Sequence, residues 1–318
     1  MPNGSDTTLT KEPRNKPKSN EGEDRLSATS SVQPQTWGRM DRNRLLIWVG
    51  IAFLVPGACV YALHLEPDRG GSVLTVRSEL PSKAIIAFFV VLSTWILSRM
   101  EKRPLDDYGI PPFQAFGERF WEGAAWGFAT LSTILLVLHL LGHFQVDSMA
   151  LTGSSVAWCA FEWAVTFLAV SLSEEFAFRG YWLFSFSRRL RFWPAALFIS
   201  VVFGGAHLAN QGENALGIVQ VVVTGLFLSL TVRRTGTLWF AVGFHAAWDW
   251  AETFFYGTPD SGLLGAGRFL NSSVHGPDWL TGGEAGPEGS IIALFVLFLC
   301  ALLIHIRFPN VIYPDRPV

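Results

Sequence analysis

A small set of side chains in this 318-residue sequence has the types and spacing to move protons and pair charges. Glu174, Glu175 and Arg179 stand in Ser171-Leu-Ser-Glu-Glu-Phe-Ala-Phe-Arg179-Gly180, His207 ends Phe203-Gly-Gly-Ala-His207, and His245 and Asp249 lie in Phe244-His245-Ala-Ala-Trp-Asp249. On a helix, positions four apart share a face, so Glu175 reaches Arg179 and Asp249 reaches His245, where a carboxylate can fix the imidazole tautomer. Glu174 points about 100° away from Glu175, so the two adjacent carboxylates meet different neighbours and do different work.

All of these groups interrupt apolar runs. The chain is 50% hydrophobic, 16% charged and 14% aromatic, whereas a soluble domain carries roughly 25% charged residues. Its 30 Gly and 13 Trp fit membrane helices and their interfaces. Cys59, Cys159 and Cys300 each sit in an apolar stretch and make neither a disulfide framework nor a paired metal motif. A formal charge of -2 gives no pull toward nucleic acid.

About eight apolar runs approach the ~17 to 25 residues that cross a bilayer, near 45–63, 83–98, 120–142, 155–186, 193–209, 213–232, 236–256 and 290–307. They are continuous rather than alternating, and an open sheet would leave backbone donors unpaired in lipid, so these runs are not strands and the expected fold is an all-α polytopic membrane helix bundle. Residues 1–43 are rich in charge, Pro and Ser and read as a disordered cytoplasmic tail. Two transmembrane helices over 44–102, a core over 103–256, a Gly-rich extracytoplasmic loop over 257–289 read as flexible linker, and a last helix and tail over 290–318 complete the expected organisation.

Lys and Arg in short loops stay on the cytoplasmic side. Arg39, Arg42 and Arg44, then Arg99, Lys102 and Arg103, then Arg188, Arg189 and Arg191, then Arg233 and Arg234, and finally Arg307 all fall on one face of an eight-span arrangement. The expectation is a multi-pass protein of the cell membrane with both termini in the cytoplasm.

An Asp, Lys or Arg at the centre of a membrane helix costs roughly 2.5 to 3.5 kcal/mol, whereas an interhelical hydrogen bond in a membrane averages about 0.6 kcal/mol. Helix gluing therefore does not account for Glu174, Glu175 and Asp249 together. At 1.5 Å per residue from the nearest basic end, Glu174, His207 and Asp249 each lie about 21 Å deep and His245 about 15 Å. Three separate spans thus bring their ionisable groups to one level. His139 and His143 form a weaker candidate metal pair near the outer end of their span. There is no zinc signature of the His-Glu-x-x-His type, no Gly-x-Ser-x-Gly elbow and no phosphate loop.

Glu174-Glu175-x-x-x-Arg179, Phe203-x-x-x-His207 and His245-x-x-x-Asp249, in this order, resemble the motifs of the CPBP family, the CAAX prenyl proteases of the second type with bacteriocin-processing and lysostaphin-resistance-like relatives. Thr235-Gly-Thr-Leu-Trp239 and Leu105 to Ile110 are similar to its weaker landmarks, and the resemblance spans about 103–253. It implies an intramembrane endopeptidase in which Glu174 and His207 hold and activate a water, His245 and residue 249 stabilise the oxyanion, and Glu175 and Arg179 support them. Its substrate would be a peptide or protein presented at the bilayer, CAAX-type or lipid-modified. Peptide hydrolysis needs a base near neutral pH and donors or positive charge where the carbonyl oxygen becomes negative.

The family motif often ends in Asn, whose amide donates, whereas ionised Asp249 only accepts. Asp249 is left to carry a proton, to orient His245, or to ligate a metal: Glu174, His207, His245 and Asp249 would make a Zn set of N and O donors. Metal-dependent and glutamate-only mechanisms both remain open at this point. So do a non-catalytic scaffold or bacteriocin-immunity protein of the same fold and a proton-relaying transporter, although no inverted repeat supports the last.

Overall fold

The computed structural model describes residues 42–65, 73–208, 210, 212 and 214–316. The tail expected over 1–43 lies outside the described residues, except that Arg42 and Asn43 begin the first helix, Arg42–Val49. Helical segments follow the apolar runs: α1 (Leu46–Ala62), α2 (Val76–Glu101), α3 (Glu118–Leu140), α4 (Ser154–Leu190), α5 (Phe192–His207), α6 (Ala215–Thr235), α7 (Trp239–Asp249) and α8 (Ile291–Arg307). The fold is an all-α bundle. Helices α2, α3, α4 and α6 are long and apolar enough to cross a membrane by length and composition; α1, α5 and α8 are shorter apolar helices.

Local sequence sets where these helices begin and end. Thr75 caps α2 through a reciprocal box with Ser78, and Lys102 ends that helix in a left-handed conformation. The Asn214 side chain accepts from the backbone N–H groups of Leu216 and Gly217 to start α6, which stops at left-handed Gly236. Ser290 caps α8 by accepting from the Ala293 N–H at 3.0 Å. Two helices carry a widened π turn directly after their carboxylates, Glu175 in α4 and Asp249 in α7. In α4 it spans Phe176–Trp182, with a kink at Gly180, and α7 runs on as Trp250–Tyr256. Such turns rotate the residues beyond them out of register, and they recur at functional sites.

Helices α3 and α7 pack backbone to backbone. The carbonyl oxygens of Phe240, Phe244 and Phe120 occupy the places that a Cβ would take at Gly123, Gly127 and Gly243, respectively. Gly123-x-x-x-Gly127 is thus a small-residue contact face, the geometry by which membrane helices gain dispersion contact when no hydrophobic force separates protein from lipid.

At the basic end Glu101 joins α2 to α4 and to the connection that follows α2. The Glu101 carboxylate accepts from the Tyr108 hydroxyl at 2.9 Å and the Tyr181 hydroxyl at 3.1 Å, and Arg103 stands 3.9 Å away. Tyr108, Ile110, Leu238 and Tyr313 are buried around this network.

Short strand pairs occur outside the apolar runs, in the connections at the other end. β1 (Val73–Leu74) pairs in parallel with β3 (Leu264–Gly265), and β2 (Phe144–Met149) pairs antiparallel with β4 (Leu270–Val274). The Gly-rich segment is therefore built structure rather than linker. Its backbone groups are satisfied by these ladders and by side chains such as the Trp163 indole, which donates to the Ala266 carbonyl at 3.0 Å. β1 and β3 are only two residues long, and β2 and β4 lie in polar connections outside the apolar runs.

Candidate active site

Glu174 and Glu175 close the regular part of α4, and their side chains diverge as the 100° step requires. Glu175 is fully buried, and its Oε1 accepts from Arg179 Nη1 at 2.9 Å and from His245 Nδ1 at 2.9 Å. It therefore joins α4 directly to α7, a closer role than the ion pair with Arg179 that spacing alone indicates. Arg179 lies 4.2 Å over the Phe203 ring of α5. A Cβ at Gly225 of α6 would meet Arg179 Nη2 at 3.0 Å and Ser200 Oγ at 2.8 Å, so the missing side chain makes room for the guanidinium. The pair is thus walled by three helices, and among the described residues Glu175 Oε2 and Arg179 Nε and Nη2 find no hydrogen-bond partner.

Because a carboxylate accepts, the Glu175 contact places a proton on His245 Nδ1 and directs Nε2 elsewhere. Nε2 faces Asp249 Oδ2 at 3.4 Å and Glu174 Oε2 at 3.8 Å, a position from which one proton can be held among three polar atoms. His207 ends α5. Its Nδ1 donates to the Phe203 carbonyl at 2.9 Å, which leaves Nε2 as the free ring nitrogen. Glu174, His207, His245 and Asp249 all line one cavity of about 540 Å³. Glu175 and Arg179 stay behind its wall.

Lys83 of α2 was not singled out by the sequence reading, yet its Nζ lies 3.7 Å from Glu174 Oε1 in the same cavity. Glu79 and Lys83, four apart at the outer start of an apolar run, were the available signal. A second missed group is acidic. One ligand atom each from Glu252, Asp260 and Glu288 lie within 4.8 Å of one another. Trp248 Nε1 donates to Glu252, Thr253 Oγ1 to Asp260, and the Ser261 N–H and hydroxyl to Glu288. Burial, and next the Glu288 charge, push the Asp260 carboxyl up to about 7 against the opposing hydrogen bond from Thr253.

Among the described residues, Glu174, His207, His245 and Asp249 are not gathered this tightly. The ammonium of Lys83 beside Glu174 also competes with a cation there, so the donor set fits Zn poorly as it stands. His139 and His143 go separate ways: their Nδ1 atoms bond the Phe144 carbonyl at 2.9 Å and the His275 carbonyl at 2.7 Å. They brace the connections at the outer end.

Residues 156–251 match the family model described as Rce1-like, type II CAAX prenyl endopeptidase Rce1-like. Over those residues the chain is similar to that family. The matched stretch begins just inside α4, ends just beyond α7 and contains every motif residue from Glu174 to Asp249. It supports the CAAX/CPBP assignment and, at the level of the family, type II CAAX endopeptidase activity. With this likeness and its long apolar helices, the chain is an integral membrane protein. No curated protein and no solved structure matches.

Proposed function

We propose that this chain is an intramembrane endopeptidase that hydrolyses a peptide bond of a membrane-presented peptide, CAAX-type or otherwise lipid-modified, with water activated on Glu174. The observation that carries this reading is the meeting of Glu174, His207, His245 and Asp249, from α4, α5 and α7, around one cavity.

Each step has a residue whose surroundings suit it. Glu174 takes a proton from water while His207 Nε2 holds that water, and the resulting hydroxide adds to the peptide carbonyl carbon. The carbonyl oxygen becomes negative and needs positive charge or a donor. His245, held by Glu175 and carrying a proton between Nε2 and Asp249, supplies the donor, and Lys83, beside Glu174, supplies charge. The carbon–nitrogen bond then breaks as the proton taken up by Glu174 passes to the leaving amine. Asp249 acts through His245 in this scheme, which suits an acceptor-only side chain. Activation runs through the carboxylate, and no step is assigned to a metal.

The chain is placed in the cell membrane with its basic connections and both termini facing the cytoplasm. The test uses purified protein in detergent or bilayer discs with a prenylated CAAX-type peptide. A positioned base contributes roughly 10²- to 10⁴-fold, so Glu174→Gln and His207→Ala are expected to lower kcat by about that much with the folded protein intact. Unchanged cleavage in both variants would overturn the assignment, and a wild-type chain that never cleaves would favour the non-catalytic scaffold.

A further inference from the structure

We propose that Glu252, Asp260 and Glu288 hold a calcium ion that ties the connection between α7 and α8 to the end of α7. None of the three belongs to the set of Glu174, His207, His245 and Asp249, and the inference is independent of the endopeptidase reading.

Glu252 carries the argument. It lies in the π turn that continues α7, and its side chain is fully buried. Its Oε2 accepts from the Trp248 indole at 2.9 Å, while Oε1 finds no hydrogen-bond partner among the described residues. That unmatched oxygen faces the connection. It lies 3.4 Å from the point where a Cβ on Gly286 would stand, and the Pro259 carbonyl oxygen lies 2.1 Å from the same point. Asp260 follows Pro259, and Glu288 stands just beyond Gly286. Burying a charged oxygen without a donor is costly, and buried charges are paired or coordinate metals.

The two neighbouring carboxylates raise that cost instead of relieving it. One ligand atom of each of the three lies within 4.8 Å of the others. Among the described residues neither Glu252 nor Asp260 pairs with a Lys, Arg or His. Outer donors orient the set: Thr253 Oγ1 bonds Asp260 Oδ2 at 2.9 Å, and the Ser261 N–H bonds Glu288 Oε1 at 2.8 Å.

An all-oxygen set without imidazole or thiolate suits a hard cation rather than zinc. Calcium binds oxygens at about 2.3 to 2.6 Å, so oxygens as far as about 5 Å apart can share one ion. Magnesium, at about 2.0 to 2.1 Å, would draw them closer and demands a near-ideal octahedron. In chelated protein a proton meets the same need, since burial and then the Glu288 charge raise the Asp260 carboxyl to about 7. Asp260 and Glu288 also line the cavity, which gives the ion its way in. Glu252 stands within one turn of Asp249, so a bound ion would fix the cavity wall to the helix that carries His245.

The test is titration calorimetry with CaCl2 on the full chain in detergent, freed of metal with EGTA. The unaltered chain is compared with Asp260→Asn, Glu288→Gln and, as a control in the other set, Glu174→Gln. We expect a single saturable site, with affinity lowered by about tenfold or more in Asp260→Asn and Glu288→Gln, since ligand charge sets calcium affinity. Glu174→Gln should keep the affinity of the unaltered chain. An ion bound by the folded chain alone raises the thermal midpoint. CaCl2 should therefore raise it by several degrees over EGTA in the unaltered chain, MgCl2 should raise it less, and the double variant Asp260→Asn/Glu288→Gln should not respond. No calcium binding by the unaltered chain, or binding that both amide variants retain, would overturn the proposal, as would magnesium binding as tightly as calcium. Calcium binding lost in Glu174→Gln and kept in Asp260→Asn would also overturn it, by moving the ion to the other set. Each readout stands whether or not the chain cleaves a peptide.

Discussion

Helix α7 borders two regions built on opposite terms. Toward α3 there is no space at all: Gly123, Gly127 and Gly243 bring the two backbones into contact. Toward α2, α4, α5 and α6 the same helix faces a cavity of about 540 Å³ and presents His245 and Asp249 to it. The solid side explains how the hollow side can work. An imidazole beside a cavity has few neighbours to fix it, and here the position of His245 is set by the helix behind it and by the Glu175 hydrogen bond. Glu174 and Glu175 repeat the contrast one residue apart, the first in the cavity and the second sealed in the packed interior.

Removing the sealed charge should break the solid region first. Arg179→Ala strands the buried Glu175 carboxylate, and breaking a buried pair by deleting one partner costs about 3 to 5 kcal/mol. We expect a large loss of unfolding stability in detergent for Arg179→Ala and a smaller one for the double variant Glu175→Gln/Arg179→Met, which removes both charges. Equal losses would mean that the pair is not an electrostatic unit. Next in size, Gly127→Val forces α3 away from the Phe244 carbonyl, an overpacking worth about 1 to 3 kcal/mol. Because Phe244 adjoins His245, cleavage should fall by about tenfold or more at temperatures where the protein stays folded. A stable, fully active Gly127→Val chain would show that the seam does not position the imidazole.

Much of this arrangement was legible in the sequence because membrane burial makes ionisable groups conspicuous. Glu174, His207, His245 and Asp249 stood out by cost and by common depth, and they do share a cavity. Helix positions followed from uninterrupted apolar runs. What spacing could not give was partnership across helices: the bond from His245 to Glu175 spans 70 residues, and no periodicity within one helix reports it. The close packing of Gly123 and Gly127 on the α7 backbone is likewise a partnership between helices that no periodicity reports. Lys83 was hidden for a different reason, since one Lys near the end of a span is ordinary and becomes notable only when Glu174 lies 3.7 Å away. The strand pairs escaped because β1 and β3 are two residues long and owe their existence to the connections they tie down.

The smallest expected effect separates the two ends of the molecule by pH. At the outer rim, burial and the Glu288 charge raise the Asp260 carboxyl to about 7, so the folded chain binds its proton more tightly than the unfolded chain does. That contribution to stability is full below the ordinary carboxylate value of about 3.9 and is lost as pH rises through about 7. At the basic end Asp315 behaves in the opposite sense. Its hydrogen bond from Arg191, 2.7 Å long, lowers its carboxyl, so its contribution is present above the ordinary carboxylate value and is lost as pH falls below it. Thermal midpoints in detergent from pH 5 to 8 should therefore decline with pH in the unaltered chain, decline less in Asp260→Asn, and keep the original slope in Asp315→Asn. A slope untouched by Asp260→Asn would show that the rim does not hold this carboxyl protonated, and the polar outer end would then differ from the sealed inner end in shape alone.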